Sequence, residues 1–225
     1  MNIEINRHLK DALFMSDSEL LHLAKTCPHR YKVYEIDKKN GGKRLIAHPS
    51  KELKYIQHIL LDIFKANLSI HNCAYAYVTA KNIKENALLH SSNSYILKMD
   101  FKDFFPSITP GLLFEECRKQ NIFFSKEDQT LIANFLFWKK KHARNLVLSI
   151  GAPTSPFISN VIMYSFDAVI NEYCRDFGIT YSRYADDLTF STNKPGILSN
   201  FPKIVSQKLN FLYRKSIRIN TEKTT

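Results

Sequence analysis

Glycine is scarce in this chain, six residues in 225, and that excludes glycine-rich linkers and low-complexity spacers. No CxxC pair occurs. Cys27, Cys73, Cys117 and Cys174 stand far apart, a usage that reads as reduced, mostly structural thiols in a cytoplasmic protein. The opening residues, Met1 to His8, hold no apolar stretch of signal-peptide type, and no run approaches membrane-spanning length, so no membrane partner is expected. Acidic residues are in deficit as well: 21 Asp and Glu against 32 Lys and Arg leave a net charge of +11. That surplus suits a protein that meets phosphate backbones, and equally a merely soluble basic one, so charge alone decides nothing.

What is present is a globular composition, 44% hydrophobic and 12% aromatic, long enough for one large core or two small ones. The positive charge is spread along the chain, with one local run at Lys139-Lys140-Lys141-His142-Ala143-Arg144. Residues 1–26 read as a helical leader, with Ser16 or Ser18 as an N-cap. Tyr31 to Ile36 and Lys43 to Ala47 read as strands joined by the turn Asn40-Gly41-Gly42, hence a hairpin. Apolar side chains at Leu53, Ile56, Leu60, Ile63 and Phe64 predict an amphipathic helix over 51–68. Tyr95 to Met99 alternates as a half-buried strand and delivers Asp100 to its carboxyl end. Ser125 to Asp128 resembles a capping box. Ser155 and Pro156 open a helix that runs through Ile158, Ile162, Phe166, Ile170 and Tyr173 to a Gly178 cap. A second hairpin follows, Ile179 to Tyr184 and Leu188 to Ser191. This order predicts an α+β domain, helices packed on a small antiparallel sheet.

Three segments carry chemistry. Tyr184-Ala185-Asp186-Asp187 lies between strands, and alone it reads as readily as a solvated turn. Asp100 ends another strand, however, and two such strands side by side would bring three acids together. Hard divalent cations take oxygen ligands, and Mg²⁺ binds through a few carboxylates plus substrate phosphates. Two such ions activate a 3′-hydroxyl and stabilise departing pyrophosphate in an in-line displacement. The third segment, Leu148 to Pro156, is a small-residue loop feeding a helix, where a base or sugar approaches backbone closely.

Together and in this order, these segments resemble the reverse transcriptase family, specifically the bacterial retron reverse transcriptases. The matching pieces are Asp100-Phe101-Lys102-Asp103-Phe104-Phe105-Pro106-Ser107, Gly151-Ala152-Pro153-Thr154-Ser155-Pro156 with Asn160, and Arg183-Tyr184-Ala185-Asp186-Asp187-Leu188-Thr189-Phe190-Ser191. Gly41 to Arg44 and Asn220 to Thr224 match too, and Asn86-Ala87-Leu88-Leu89-His90 resembles a segment that marks the retron enzymes. The resemblance implies a right-hand polymerase, with leader and fingers over 1–95 and palm over 96–225, fingers elements lying within 110–150. It implies Asp100, Asp186 and Asp187 as catalytic ligands of two Mg²⁺ ions, with Mn²⁺ as an alternative and the Phe101 carbonyl as a backbone ligand. Lys43 and Arg44 would clamp the incoming deoxynucleoside triphosphate, a bidentate Arg suiting phosphate well. Phe104, Phe105, Gly151, Ala152 and Pro153 would complete the nucleotide site, Phe105 excluding a 2′-hydroxyl. Asn86 and His90 would contact RNA or a partner, and Lys223 would protonate pyrophosphate.

The resemblance further implies a structured non-coding RNA as primer and template, a branched RNA–DNA product (msDNA), an effector protein and a role in antiphage defence. Two departures stand out. Ile150 occupies a position that is Gln in many relatives. The family also continues past the Asn220 to Lys223 segment into a thumb, whereas this sequence stops at Thr225, as a fragment would or as a chain whose thumb lies elsewhere would. Rival readings are a group II intron or diversity-generating reverse transcriptase, an RNA-templated RNA polymerase and a catalytically silent RNA-binding scaffold. Asn86 and His90 count against the first, Phe105 against the second and the intact acids against the last.

Overall fold

The computed structural model describes residues 1–38 and 41–225; Asn40 of the expected first turn lies outside the described residues. In chain order the elements are α1 (Ile5–Leu13), α2 (Asp17–Thr26), β1 (Tyr31–Asp37), β2 (Lys43–Pro49), α3 (Lys51–Asn67), α4 (Ile83–His90), β3 (Tyr95–Phe101) and α5 (Phe104–Ser107). They continue with α6 (Pro110–Lys119), α7 (Lys126–Leu136), α8 (Ser155–Ile162), α9 (Tyr164–Phe177), β4 (Thr180–Tyr184), β5 (Asp187–Thr192), α10 (Phe201–Tyr213) and β6 (Ile219–Asn220). The class is α+β.

The chain divides into two compact units, residues 1–69 with 108–158 and residues 70–107 with 159–225. Residues 70–95 cluster with the second unit because Tyr75 and Cys73 exchange backbone bonds with Arg183 and because α4 docks on the strands there.

In the first unit, β1 and β2 pair antiparallel from Tyr31↔Pro49 to Asp37↔Lys43. α3 buries Leu53, Ile56, Leu60 and Phe64, the stripe its period dictates. Ser16 caps α2 in a full capping box with Glu19. At α7 the outcome differs. Ser125 accepts from the Asp128 N–H, but Asp128 Oδ1 turns away to accept from the Asn6 N–H of α1 at 2.7 Å, so the reciprocal half of the box is spent on joining two helices.

The second unit is a four-stranded antiparallel sheet in the order β4-β5-β3-β6, with β3 in its interior. Its core holds Leu97, Met99, Phe166, Ile170, Leu188, Phe190 and Phe201. The helix expected from Pro156 to Phe177 is broken at Met163. The Tyr213 hydroxyl donates to the Ile162 carbonyl at 2.8 Å, and a side chain inserted into the helical ladder is a recognised cause of a kink. Ser155 is the first residue of α8 and not its cap; its buried hydroxyl has no partner among the described residues. Gly178 does cap α9, at φ +68°.

Candidate active site

Alternation on β3 buries Leu97, Met99 and Phe101, which anchors the strand and sets Asp100 at its carboxyl end. β3 pairs with β5 so that Asp100 lies opposite Asp187. β4 and β5 form a hairpin whose last pair is Tyr184↔Asp187, leaving Ala185 and Asp186 as its two-residue loop. Of the two, only Ala185 has a positive φ, 57°, the pattern of a II′ turn, in which glycine is usual. A side chain held left-handed costs about 1–2 kcal/mol, so something must hold this loop. The Asp186 carbonyl accepts from the Phe101 N–H at 3.1 Å, tying the loop to β3. All three acids thus reach one end of one sheet.

A second support lies behind the loop. Arg183, fully buried, donates from Nη1 to the Ala185 carbonyl at 3.0 Å and to Asn160 Oδ1 at 2.9 Å. Its Nε and Nη2 meet both oxygens of the equally buried Asp167, at 2.9 and 2.6 Å, and the Tyr181 hydroxyl donates to Asp167 at 2.7 Å. Burial opposes the guanidinium charge, but the Asp167 carboxylate outweighs it and raises the Arg183 pKa above its ordinary value. Asn160 Nδ2 donates to the Ala76 carbonyl at 2.9 Å, fixing its side chain. Sequence reasoning assigned Asp167 and Tyr181 nothing. The available signal was a charge inside β4 among buried neighbours, Tyr181 and Ser182, since buried arginine demands a paired acid.

The electrostatics suit a divalent cation. The Asp187 carboxyl is pushed above the usual carboxylate range by desolvation first, then by the charges of Asp186 and Asp100. Asp100, 5% exposed, takes the Lys223 ammonium on Oδ2, while its buried Oδ1 has no partner among the described residues. The hydrogen bond to Asp100 also raises the Lys223 pKa. Among the described residues no three Asp, Glu, His or Cys side chains close into a ready-made metal cage. Mg²⁺ asks for one or two carboxylates plus substrate phosphates, and these hard oxygen donors with one orphaned lone-pair set fit it.

The other expected site residues separate into groups. Lys43, Arg44, Gly151, Ala152 and Pro153 belong to the first unit. Lys43 and Arg44 are exposed, Lys43 pairing with Glu35 at 3.1 Å. Gly151 sits at φ +125°, where a Cβ would meet the Ala47 carbonyl oxygen at 3.1 Å. Close packing on β2 is therefore sufficient reason for that glycine. Phe104 is 3% exposed and stacked on Phe101 at 5.1 Å. Phe105 is half-buried against the Phe104 edge. At 4% exposure the His90 ring nitrogens bond Ser191 Oγ and Ser182 Oγ, each at 2.7 Å, so it clamps α4 to β4 and β5. Burial holds its pKa below the ordinary histidine value. Asn86 is half-buried with Oδ1 buried and unpartnered among the described residues.

A family model described as "Reverse transcriptase (RNA-dependent DNA polymerase)" matches residues 36–225. The chain belongs to the reverse transcriptase family. This reverse transcriptase is similar to the Retron Ec83 reverse transcriptase of Escherichia coli, 43% identical over 99% of this chain and 71% of the relative. It is 39% identical to the Retron Ec73 reverse transcriptase of Escherichia coli over 75% of this chain and 55% of the relative. It is 32% identical to the Retron Ec86 enzyme of Escherichia coli over 96% of this chain and 65% of the relative. Among solved structures, telomerase from Candida albicans, in complex with a fragment of telomeric RNA, superposes with a TM-score of 0.58 at 13% identity. That match covers 87% of this chain and 42% of the telomerase, and it shows a shared polymerase fold.

Proposed function

We propose that this reverse transcriptase domain is the catalytic part of a retron enzyme that extends DNA along a structured RNA by two-metal nucleotidyl transfer. The observation that carries the reading is the pairing of Asp100 with Asp187 beside the Asp186 loop. Two Mg²⁺ ions held by Asp100, Asp186, Asp187 and the Phe101 carbonyl would activate the 3′-hydroxyl and neutralise the departing pyrophosphate. The chain's own residues do the remainder. Arg183 and the Phe101 N–H hold the acid loop in place. Lys223 keeps a proton on Nζ next to Asp100, where it is available to the leaving group. Phe105 fills space that a ribose hydroxyl would need and offers it no hydrogen bond. Lys43 and Arg44 gather the triphosphate of the incoming deoxynucleotide.

In this reading the second unit is the palm and the first the fingers. The non-coding RNA serves as primer and template, the product is a branched RNA–DNA molecule, and an effector protein couples synthesis to antiphage defence. Retron relatives over nearly the full chain support that assignment. All four cysteines are buried and free, with thiols pushed up to about 12 by burial; such inert thiols suit the cytoplasm. Among the described residues, no helix is long and apolar enough to cross a membrane. The test is Asp186→Asn. Extension of a primed RNA template in Mg²⁺ is expected to vanish while the melting curve stays unchanged, and normal extension refutes the assignment.

A further inference from the structure

One basic feature has no part in the site above. Trp138 and Val147 exchange backbone hydrogen bonds at 2.9 and 3.0 Å, closing a ribbon whose tip carries Lys139 to Arg144. The Lys139 N–H donates to the Pro28 carbonyl at 2.9 Å. This seats the ribbon over the start of β1 and encloses a cleft of about 320 Å³ lined by Tyr31, Trp138, Lys139, Lys140, Lys141 and His142, among others.

Three observations describe what the cleft would take. Its floor is aromatic: the Tyr31 and Trp138 rings lie 6.1 Å apart, tilted by 46°. Its rim is cationic and unneutralised, since none of Lys139, Lys140 or Lys141 forms an ion pair among the described residues. And Trp138, 7% exposed, has a buried Nε1–H with no acceptor among the described residues. The volume is at the small end of ligand pockets, about 300–1,000 Å³, room for a single nucleotide unit and not for a duplex.

We propose that this cleft binds a single-stranded nucleic acid. Phosphates lie on the Lys139 to Lys141 rim, and a base lies against the Tyr31 and Trp138 rings. Aromatic surface flanked by lysines is the chemistry by which single strands are held without regard to sequence. An acidic peptide would satisfy the lysines but would leave the aromatic floor unused. The proposal stands on the cleft's own groups; only the strand's identity as part of the copied RNA rests on the polymerase reading.

Trp138 is the sole tryptophan of the chain, so its fluorescence reports on this cleft alone. The full chain is titrated with a twelve-nucleotide oligouridylate, and separately with the oligothymidylate, in EDTA so that no polymerase chemistry is engaged. Saturable quenching that weakens with salt is expected, and whichever oligonucleotide binds tighter names the source. In parallel, anisotropy of the labelled strand follows two variants. Lys139→Gln/Lys140→Gln/Lys141→Gln should flatten the log–log salt slope by about 2 and weaken binding about 100-fold at 0.1 M salt, from about 0.7 per phosphate contact. Trp138→Phe should weaken it about two- to ten-fold, because the smaller ring offers a base less stacking surface. The triple variant alters no buried residue, so its melting curve should match the parent. Absence of quenching, an unchanged salt slope in the triple variant, or equal quenching by oligoglutamate would each overturn the proposal. Loss of extension by Asp186→Asn leaves all of these readings untouched.

Discussion

Removing the acid that faces a buried arginine is the sharpest test of how the catalytic loop is held. Asp167→Asn keeps volume and removes the charge that three Arg183 contacts use. Both side chains are wholly buried, so solvent cannot take over, and breaking such a pair costs about 3–5 kcal/mol. Against a typical stability of about 5–15 kcal/mol that is a large fraction, a fall in melting temperature of about 6–20 °C at this chain length. The pair can also be removed together. Asp167→Leu with Arg183→Met replaces the charges by apolar groups of similar size, which is commonly neutral or stabilising. The double variant should therefore melt within a few degrees of the parent. It nevertheless lacks the bond from Arg183 to the Ala185 carbonyl, so the strained loop carrying Asp186 loses its rear support. Primer extension should remain depressed at least ten-fold although the fold is restored. Denaturant melts and single-turnover extension on all three proteins decide the matter. If Asp167→Asn melts like the parent, the pair is not what holds the loop. If the double variant recovers full extension, the pair is packing and nothing more.

Three further expectations follow from the geometry. Phe105→Val should raise the ratio of ribonucleotide to deoxyribonucleotide incorporation about ten-fold or more in single-nucleotide kinetics, and an unchanged ratio makes Phe105 simple packing. The depressed pKa of His90 means the unfolded chain binds more protons between the folded and the ordinary histidine value. Stability is thus complete above the ordinary value and is lost as pH falls through that window. His90→Gln should flatten this slope in pH-resolved melts without abolishing it, because desolvation lowers the His71 pKa as well. Lys223→Met frees Asp100 from a competing ammonium and should tighten Mg²⁺ binding about two- to five-fold by calorimetry, the range of a pair whose ammonium is solvated, while slowing extension.

Much of this molecule can be read from residue pattern. The period-2 run Tyr95 to Met99 and the turn at Ala185-Asp186 forecast strands that pair as observed, because one-sided burial leaves little choice of register. Helices α6 and α10 were not foreseen. Pro110 and Pro202 in their first turns, and the Phe201, Val205, Leu209, Tyr213 spacing buried in α10, were the available signals. Two local rules misled. Ser155 has an ideal cap's identity and none of its bonds, since cap geometry depends on where the preceding backbone arrives. His90 carries no mark of burial in its own helix, whose exposed Ile83, Leu88 and Leu89 argue for the opposite face. Only Ser182 and Ser191, some ninety residues later, show why a histidine belongs there.

The strand order β4-β5-β3-β6 has a consequence for the order of folding. β3 holds the interior of its sheet, yet both strands that flank it are made long after it. During synthesis Asp100 therefore sits on a strand with two unpaired edges and an apolar face. Pairings of such sequence separation close slowly, and unpaired apolar edges are where partly made chains stick to one another. The first carboxylate of the active site is in this sense the last to find its neighbours. A nascent chain that ends before Asn220 carries Asp100, Asp186 and Asp187 while its central strand still lacks one side of the sheet.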